Sequence, residues 1–204
     1  MVPAFDGIGT LPDGTRVGFG NPRGPYGALA EKTVAPVGAG APIPEGIDPA
    51  VATVLATAIT GMSMRTAAGL VPGETVPVQG ATGVAGRLAV KVARLLGVGR
   101  IVATGRDADQ LRDIQGLGAD TVINTAVPDE ALAQAFINAR GEGYDVVMDH
   151  LWGRPTEVLL HTLALRPTRL RGGENPPQRY RNRLAADRSA RQTTRRAWCW
   201  VRCA

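Results

Sequence analysis

ETVPVQGATGVAGRLAVKVARLLG, residues 74–97, is the stretch from which the rest of the chain is read. Thr75 to Gln79 is strand-like, and Arg87 to Leu96 carries a helical pattern closed by Gly97. Between them lies Gly80-Ala81-Thr82-Gly83-Val84-Ala85-Gly86. The G-x-x-G-x-x-G spacing has three physical uses: a tight turn out of the strand, close approach of backbone N–H groups to a pyrophosphate, and close packing of the helix on the sheet. A helix starting there presents unpaired N–H donors and a partial positive charge to phosphate. Gly80, Thr82, Gly83, Val84, Ala85 and Gly86 are therefore a candidate phosphate cradle, with the Thr82 hydroxyl as a further donor. The alternative is a plain structural turn, since glycine serves those as well. Pro77 stands against the pattern, because proline removes a ladder donor from what reads as a central strand.

Outward from this stretch the chain alternates strand and helix. Arg100 to Thr104 is a β-branched strand, Ala108 to Leu117 a helix closed by Gly118, and Thr121 to Asn124 a short strand. Asp129 to Arg140 follows as a helix and Tyr144 to Asp149 as an apolar strand. Near-continuous apolar strands separated by helices predict an α/β fold with a doubly wound parallel sheet of the Rossmann type, here of about four strands. Upstream, Asp48 is placed to cap a helix with Pro49 at its first position, and residues 49–70 run helical with Gly61 marking a break or a close approach. Residues 1–46 are rich in Gly and Pro, with β-like pieces at TRVGFG (15–20) and ALAEKTVAP (28–36) and a turn signal at Asp13-Gly14. This stretch is too short to bury a core alone. The expected organisation is a partial β-rich unit over 1–46, a nucleotide-binding domain over 47–165 and an arginine-rich, disordered tail over 166–204.

The end of the second strand bears on which dinucleotide fits. An NAD site ordinarily places Asp or Glu there to accept from the ribose 2′-hydroxyl. Here the strand runs into Thr104-Gly105-Arg106, where glycine leaves room and a guanidinium can pair with a 2′-phosphate. NADP(H) is expected over NAD(H). Asp107, one residue later, is the competing ribose acid, and Arg106 as a solvated loop charge is the plain alternative.

The net charge of +5 is the sum of two unlike parts. Residues 166–204 hold eleven arginines against Glu174 and Asp187, a net of +9, which leaves the rest of the chain at −4. Both cysteines, Cys199 and Cys203, lie at the end, so the body has no disulfide framework and a cytoplasmic location is expected. No apolar run approaches the ~20 residues of a membrane span, and MVPAFDGIGT lacks the basic and apolar regions of a secretory signal.

The segments Gly80–Gly97, TGRDADQL, LGADTVIN and GYDVVMDHLWG, together with DGTRV, GPYGALAEKTVAP and GLVPGETVPVQGATGVAG upstream, resemble the medium-chain dehydrogenase/reductases. Within that superfamily the chain is similar to the alcohol dehydrogenase-like, zinc-free quinone oxidoreductase group. The resemblance runs from about residue 5 to residue 165. It implies a β-rich, GroES-like catalytic domain beside a Rossmann domain, with NADP(H)-dependent hydride transfer to or from a quinone, carbonyl or activated alkene. It implies no metal, and the sequence offers no cysteine before residue 199 and only His150 and His161. Ser63 falls where the family often has a threonine near the nicotinamide, Asn124 near where the adenine would lie, and residues 149–153 beside the cleft. Helix or loop packing is the alternative for each. No catalytic residue is singled out. The expected partner is a small-molecule substrate, with neither membrane nor nucleic acid, and homo-oligomers are known in the family.

Three departures accompany the resemblance. The chain is expected to start inside the catalytic domain, Pro77 interrupts the first strand, and the family pattern ends near Ala164. Beyond it, arginine-rich and lysine-free text reads as an out-of-frame translation, leaving the sheet edge after the fourth strand open. A nucleic-acid-binding tail, with Tyr180, Trp198 and Trp200 for stacking, and a solvated tail are the alternatives.

Overall fold

The computed structural model describes residues 3–36, 38, 40–163 and 169–172. The chain divides into two compact units, with the division between Ile59 and Thr60.

In the first unit β1 (Asp6–Thr10), β2 (Arg16–Gly20) and β3 (Gly40–Pro42) form an antiparallel sheet in that order. The Asp13-Gly14 turn is present. Leu11 N–H reaches Thr15 O at 2.9 Å, the Asp13 carboxylate accepts from Thr15 N–H at 2.9 Å, and Gly14 takes φ +88°. Residues 28–36 do not form the expected strand. Both edges of β2 are already taken, by β1 in register Val17↔Gly9 and by β3 in register Val17↔Pro42. The Thr33–Val34 piece is left with a backbone bond from Arg23 N–H to Val34 O.

Helix α1 (Pro49–Thr66) starts as expected, the Asp48 carboxylate accepting from Ala50 N–H at 2.7 Å and Val51 N–H at 3.3 Å. It ends at Thr66, short of residue 70, because Gly69 turns left-handed at φ +65° and Leu70 N–H folds back to Met64 O. The elements that follow are β4 (Thr75–Gln79), α2 (Val84–Leu95), β5 (Arg100–Gly105), α3 (Ala108–Gly116), β6 (Thr121–Asn124), α4 (Asp129–Ala139), β7 (Val146–Asp149) and α5 (Arg154–Thr162). β8 (Arg169–Gly172) comes last, and the five parallel strands lie in the order β6-β5-β4-β7-β8.

Alternation along the strands assigns the two faces. Val76 and Val78, Ile101 and Ala103, and Val146 and Met148 join one apolar cluster with Met64, Ala89, Val90, Ala93 and Ile114 from α1, α2 and α3. Val102, Ile123 and Val147 face the other way, onto Leu132 and Phe136 of α4 and Val158 and Leu159 of α5. Tyr144, just before β7, meets Phe136 edge-on with ring centroids 6.5 Å apart, and its hydroxyl donates to Phe136 O. Removal of the ring from water pushes the Tyr144 hydroxyl pKa far up. Full burial of side chains this size contributes about 1.5–3 kcal/mol each.

Two expectations need correction. The sheet has a fifth strand where about four are expected, so β8 covers the edge of β7 that the sequence leaves open. RLRG has no strand-like alternation, but edge pairing runs through backbone groups, and β7 offers a buried strand's unpaired row of them. The remainder of the 166–204 segment, with the readings placed on it, lies outside the described residues. Strand β7 also begins at Val146, not Tyr144, because the Asp145 carboxylate accepts from Thr75 N–H and its own N–H reaches Thr75 O.

Those two bonds locate the effect of Pro77. Thr75 turns its N–H and C=O toward β7, so Val76 addresses β5 and Pro77 addresses β7 again. The β4–β5 ladder accordingly keeps Pro77↔Val102 in register, while the β4–β7 ladder is registered only at Val78↔Met148 and Gln79↔Asp149. Proline deletes one donor on the β7 side, and the Asp145 carboxylate secures the start of the strand instead. Pro77→Val is expected to restore that donor, adding about 1 kcal/mol and raising the thermal midpoint by about 2–4 °C. An unchanged or lower midpoint in thermal unfolding would show that β4 has adapted to the proline.

Candidate nucleotide-binding site

The glycine-rich turn sits at the carboxyl end of β4, beside the ends of β5 and β7. Helix α2 begins at Val84, three residues earlier than the expected Arg87, so Gly86 lies within its first turn. A side chain at Gly86 is impossible without displacement: a Cβ there would stand 2.2 Å from Gly80 O and 2.5 Å from Ala81 Cα. Gly80 takes φ +70°, and a Cβ on it would meet Leu151 Cδ2 at 2.9 Å. Gly83 is the N-cap and supplies no side-chain hydrogen bond, and the first turn of α2 holds no acidic residue. Backbone donors of Val84, Ala85 and Gly86 at the helix start thus have no side-chain acceptor, which is the arrangement that receives an anion.

Thr104, expected as a cofactor contact, instead holds the turn. Its carbonyl accepts from Ala81 N–H at 2.9 Å and its hydroxyl oxygen from Gly80 N–H at 3.3 Å. It is fully buried. Gly105, expected to leave room for a phosphate, leaves room for protein: a Cβ there would lie 2.6 Å from Thr82 Cγ2 and 3.0 Å from Leu111 Cδ2. Thr125 closes the next step, donating its hydroxyl and its N–H to Gly105 O. Asp107 is the N-cap of α3, its Oδ1 accepting from Gln110 N–H at 2.9 Å. Arg106 is exposed. Asn124 ends β6 opposite Gly105, and its side-chain oxygen accepts from Ala126 N–H. Ser63 lies in α1 near Gly61, where that helix crosses α2 at Ala89 and Val92. The structure therefore gathers Gly80, Thr82, Gly83, Val84, Ala85, Gly86, Thr104, Gly105 and Arg106 into one region, with Asn124 at its β6 side and Ser63 along the neighbouring helix.

The sequence did not disclose a second polar group at the end of β7. The buried Asp149 carboxylate accepts from Leu151 N–H at 2.9 Å, Trp152 N–H at 3.2 Å and the Thr156 hydroxyl at 2.7 Å. Gln79, paired in register with Asp149, donates to the Thr156 hydroxyl at 3.3 Å. This network fixes the reversal at Trp152 and Gly153 (φ +51° and +82°) that starts α5 and lays Leu151 over Gly80. Its signal is an acid at a strand end with a threonine seven residues on, a pattern too common to read alone. His150 Nε2 is buried with no hydrogen-bond partner among the described residues. Burial pushes the imidazole below its ordinary pKa, and the adjacent Asp149 carboxylate pulls it partly back.

A family model described as zinc-binding dehydrogenase matches residues 85–166. The quinone oxidoreductase of Thermus thermophilus, also solved with NADPH, superposes with a TM-score of 0.67 at 26% identity, over 93% of this chain and 66% of that one. A mycobacterial protein solved in complex with NADPH gives 0.74 at 25% identity, over 90% and 61%. These matches lie within the medium-chain dehydrogenase/reductase superfamily, and the structural neighbours are quinone oxidoreductase-like. In sequence, the chain is 30% identical over 112 residues to an Emericella nidulans protein described as a probable NADPH-dependent quinone reductase. That match takes in 53% of this chain and 32% of the relative. The chain thus spans less than two thirds of the solved neighbours and about a third of the curated one. Among the described residues no three of His, Cys, Asp and Glu gather as a metal site, and no helix is long and apolar enough to cross a membrane.

Two consequences can be measured. Gly86→Ala is expected to cost on the order of 1–3 kcal/mol, because its methyl group meets backbone. Gly116→Ala, in α3 with nothing within 4 Å of the new Cβ, should stabilise by roughly 0.5–1 kcal/mol. Equal effects in denaturant titrations would contradict the wedge at Gly86. For His150, the folded state disfavours the charged ring, so below about pH 6.5 the unfolded chain binds more protons and stability falls as pH falls. His150→Gln should flatten that part of the stability profile.

Proposed function

We propose that the chain binds NADPH in the Gly80–Gly86 cradle and serves zinc-free hydride transfer to a quinone, carbonyl or activated alkene. The observation that carries the reading is the uncapped start of α2, wedged at Gly86 and tied at Thr104, with Asp107 committed to α3. That combination suits a pyrophosphate at the helix N-terminus and leaves Arg106 as the cation at the ribose end. The two solved neighbours in complex with NADPH and the relative described as NADPH-dependent support the same choice. The zinc-free part rests on the absence of cysteine before residue 199. A small-molecule substrate and a cytoplasmic location belong to the proposal.

The nicotinamide cofactor, when bound, supplies the hydride chemistry. The chain's own residues do the holding. Backbone N–H groups at Val84, Ala85 and Gly86 neutralise phosphate charge, Thr104 keeps the turn from opening, and Arg106 selects for the 2′-phosphate. The Asp149–Thr156–Gln79 network keeps the segment after β7 against Gly80.

The test is equilibrium binding by fluorescence, followed by turnover with a quinone and an enone. NADPH is expected to bind more tightly than NADH. Arg106→Ala should weaken NADPH by about tenfold or more, the worth of a charge-assisted contact, and leave NADH nearly unchanged. Failure to bind either nucleotide sinks the proposal; binding without turnover confines it to the cofactor half.

A further inference from the structure

We infer that Arg87, on the first turn of α2, is a second specificity residue for the 2′-phosphate, working with Arg106 from the opposite side of Thr82. The inference rests on the NADPH reading above and adds a residue to it.

The position is electrostatically unusual. Cations near a helix N-terminus oppose the macrodipole, and an acid in the same turn ordinarily offsets them. Here the turn holds no acid and the N-cap is glycine, so Arg87 adds positive charge where the helix already has it. A local arrangement that works against its own surroundings marks a functional site more often than a structural one. An anion arriving at this end of α2 would resolve the conflict.

The guanidinium is also held in place. Arg87 Nε donates to Thr82 O at 3.0 Å, drawing the side chain back along the helix toward the turn. Thr82 in turn touches the space a side chain at Gly105 would fill, its Cγ2 being 2.6 Å from that position, and Arg106 follows directly. Arg87 is thus bonded to Thr82, and Arg106 is the residue after the glycine that the Thr82 methyl group covers. Arg87 Nη2 stands 3.7 Å from Asp113 Oδ2 on α3, so the side chain lies on the flank of α2 that faces α3. That is the flank of the ribose-recognising strand β5, not of the N–H groups that serve the pyrophosphate. The pair with Asp113 is exposed, with 35% and 66% of the two side chains accessible, so it contributes little to folding. With Nε engaged on Thr82, the terminal nitrogens remain able to exchange Asp113 for a phosphate, and Asp113 acts as a resident competitor.

Selectivity, not affinity alone, tests the idea. Binding of NADPH, NADH, 2′,5′-ADP and 5′-ADP to the full chain would be measured for wild type, Arg87→Met, Arg87→Lys and Asp113→Asn, with thermal unfolding as the check on folding. Arg87→Met is expected to raise Kd for NADPH and 2′,5′-ADP about tenfold while NADH and 5′-ADP stay within about twofold. Arg87→Lys, which keeps charge without the fork, should recover part of the loss. Removing the competitor in Asp113→Asn should tighten NADPH by about two- to threefold. Equal losses for NADPH and NADH in Arg87→Met, or no loss for either, overturn the inference while the NADPH reading stands. Wild-type protein that binds neither nucleotide overturns both.

Discussion

The rest of the parallel-sheet unit depends on one close approach, that of the first turn of α2 to the carbonyl of Gly80. With no side chain at Gly86, the helix starts directly over the end of β4, and its free N–H groups open onto the carboxyl edge of the sheet. Any larger residue would push the helix outward and separate those donors from the strands that frame them. Thr104 completes the constraint from the neighbouring strand, using its carbonyl and its hydroxyl to hold the two residues that begin the turn. Geometry at this corner is therefore set by backbone contact and two hydrogen bonds, with Ala81 buried in the apolar cluster and Leu151 packed over Gly80.

Stability comes from elsewhere in the same domain. Two apolar clusters, one on each face of the sheet, bury the strand interiors and the inner faces of α2, α4 and α5. They hold the strand ends in place but do not dictate what happens beyond them. There the chain changes from apolar to polar contacts: Thr104 and Thr125 at β5 and β6, Asp149 with Thr156 and Gln79 at β4 and β7. The apolar layer supplies rigidity, and the polar layer above it shapes a surface that can meet a charged ligand. Positive charge collects on that surface from the start of α2, from Arg87 and from Arg106, while Asp107, the nearest acid, is turned into a helix cap.

Much of this was legible beforehand. Alternation of apolar strands with helices located β4 through β7 nearly to the residue, because burial on both faces leaves continuous apolar runs that little else produces. The glycine spacing announced the turn, and Asp48-Pro49 announced the start of α1. Other features were not legible, for identifiable reasons. RLRG becomes a strand because a neighbouring edge is open, and its own side chains say nothing of that. Residues 28–36 look β-like yet pair with no strand of the sheet. Pro77 reads as a defect in a central strand, and only the direction of the Thr75 groups shows that β7 bears the loss while β5 does not.

Sequence by itself determined the order of elements and the position of the glycine-rich turn, since local periodicity and glycine spacing are properties of consecutive residues. Tertiary structure decided what each polar residue at the strand ends does. Thr104 became a brace, Gly105 a seat for the Thr82 methyl group, Asp107 a cap, and Arg87 a cation tied to the Thr82 carbonyl. Those roles depend on which strands lie side by side and how closely a helix approaches them, distances that arise between residues far apart in the chain.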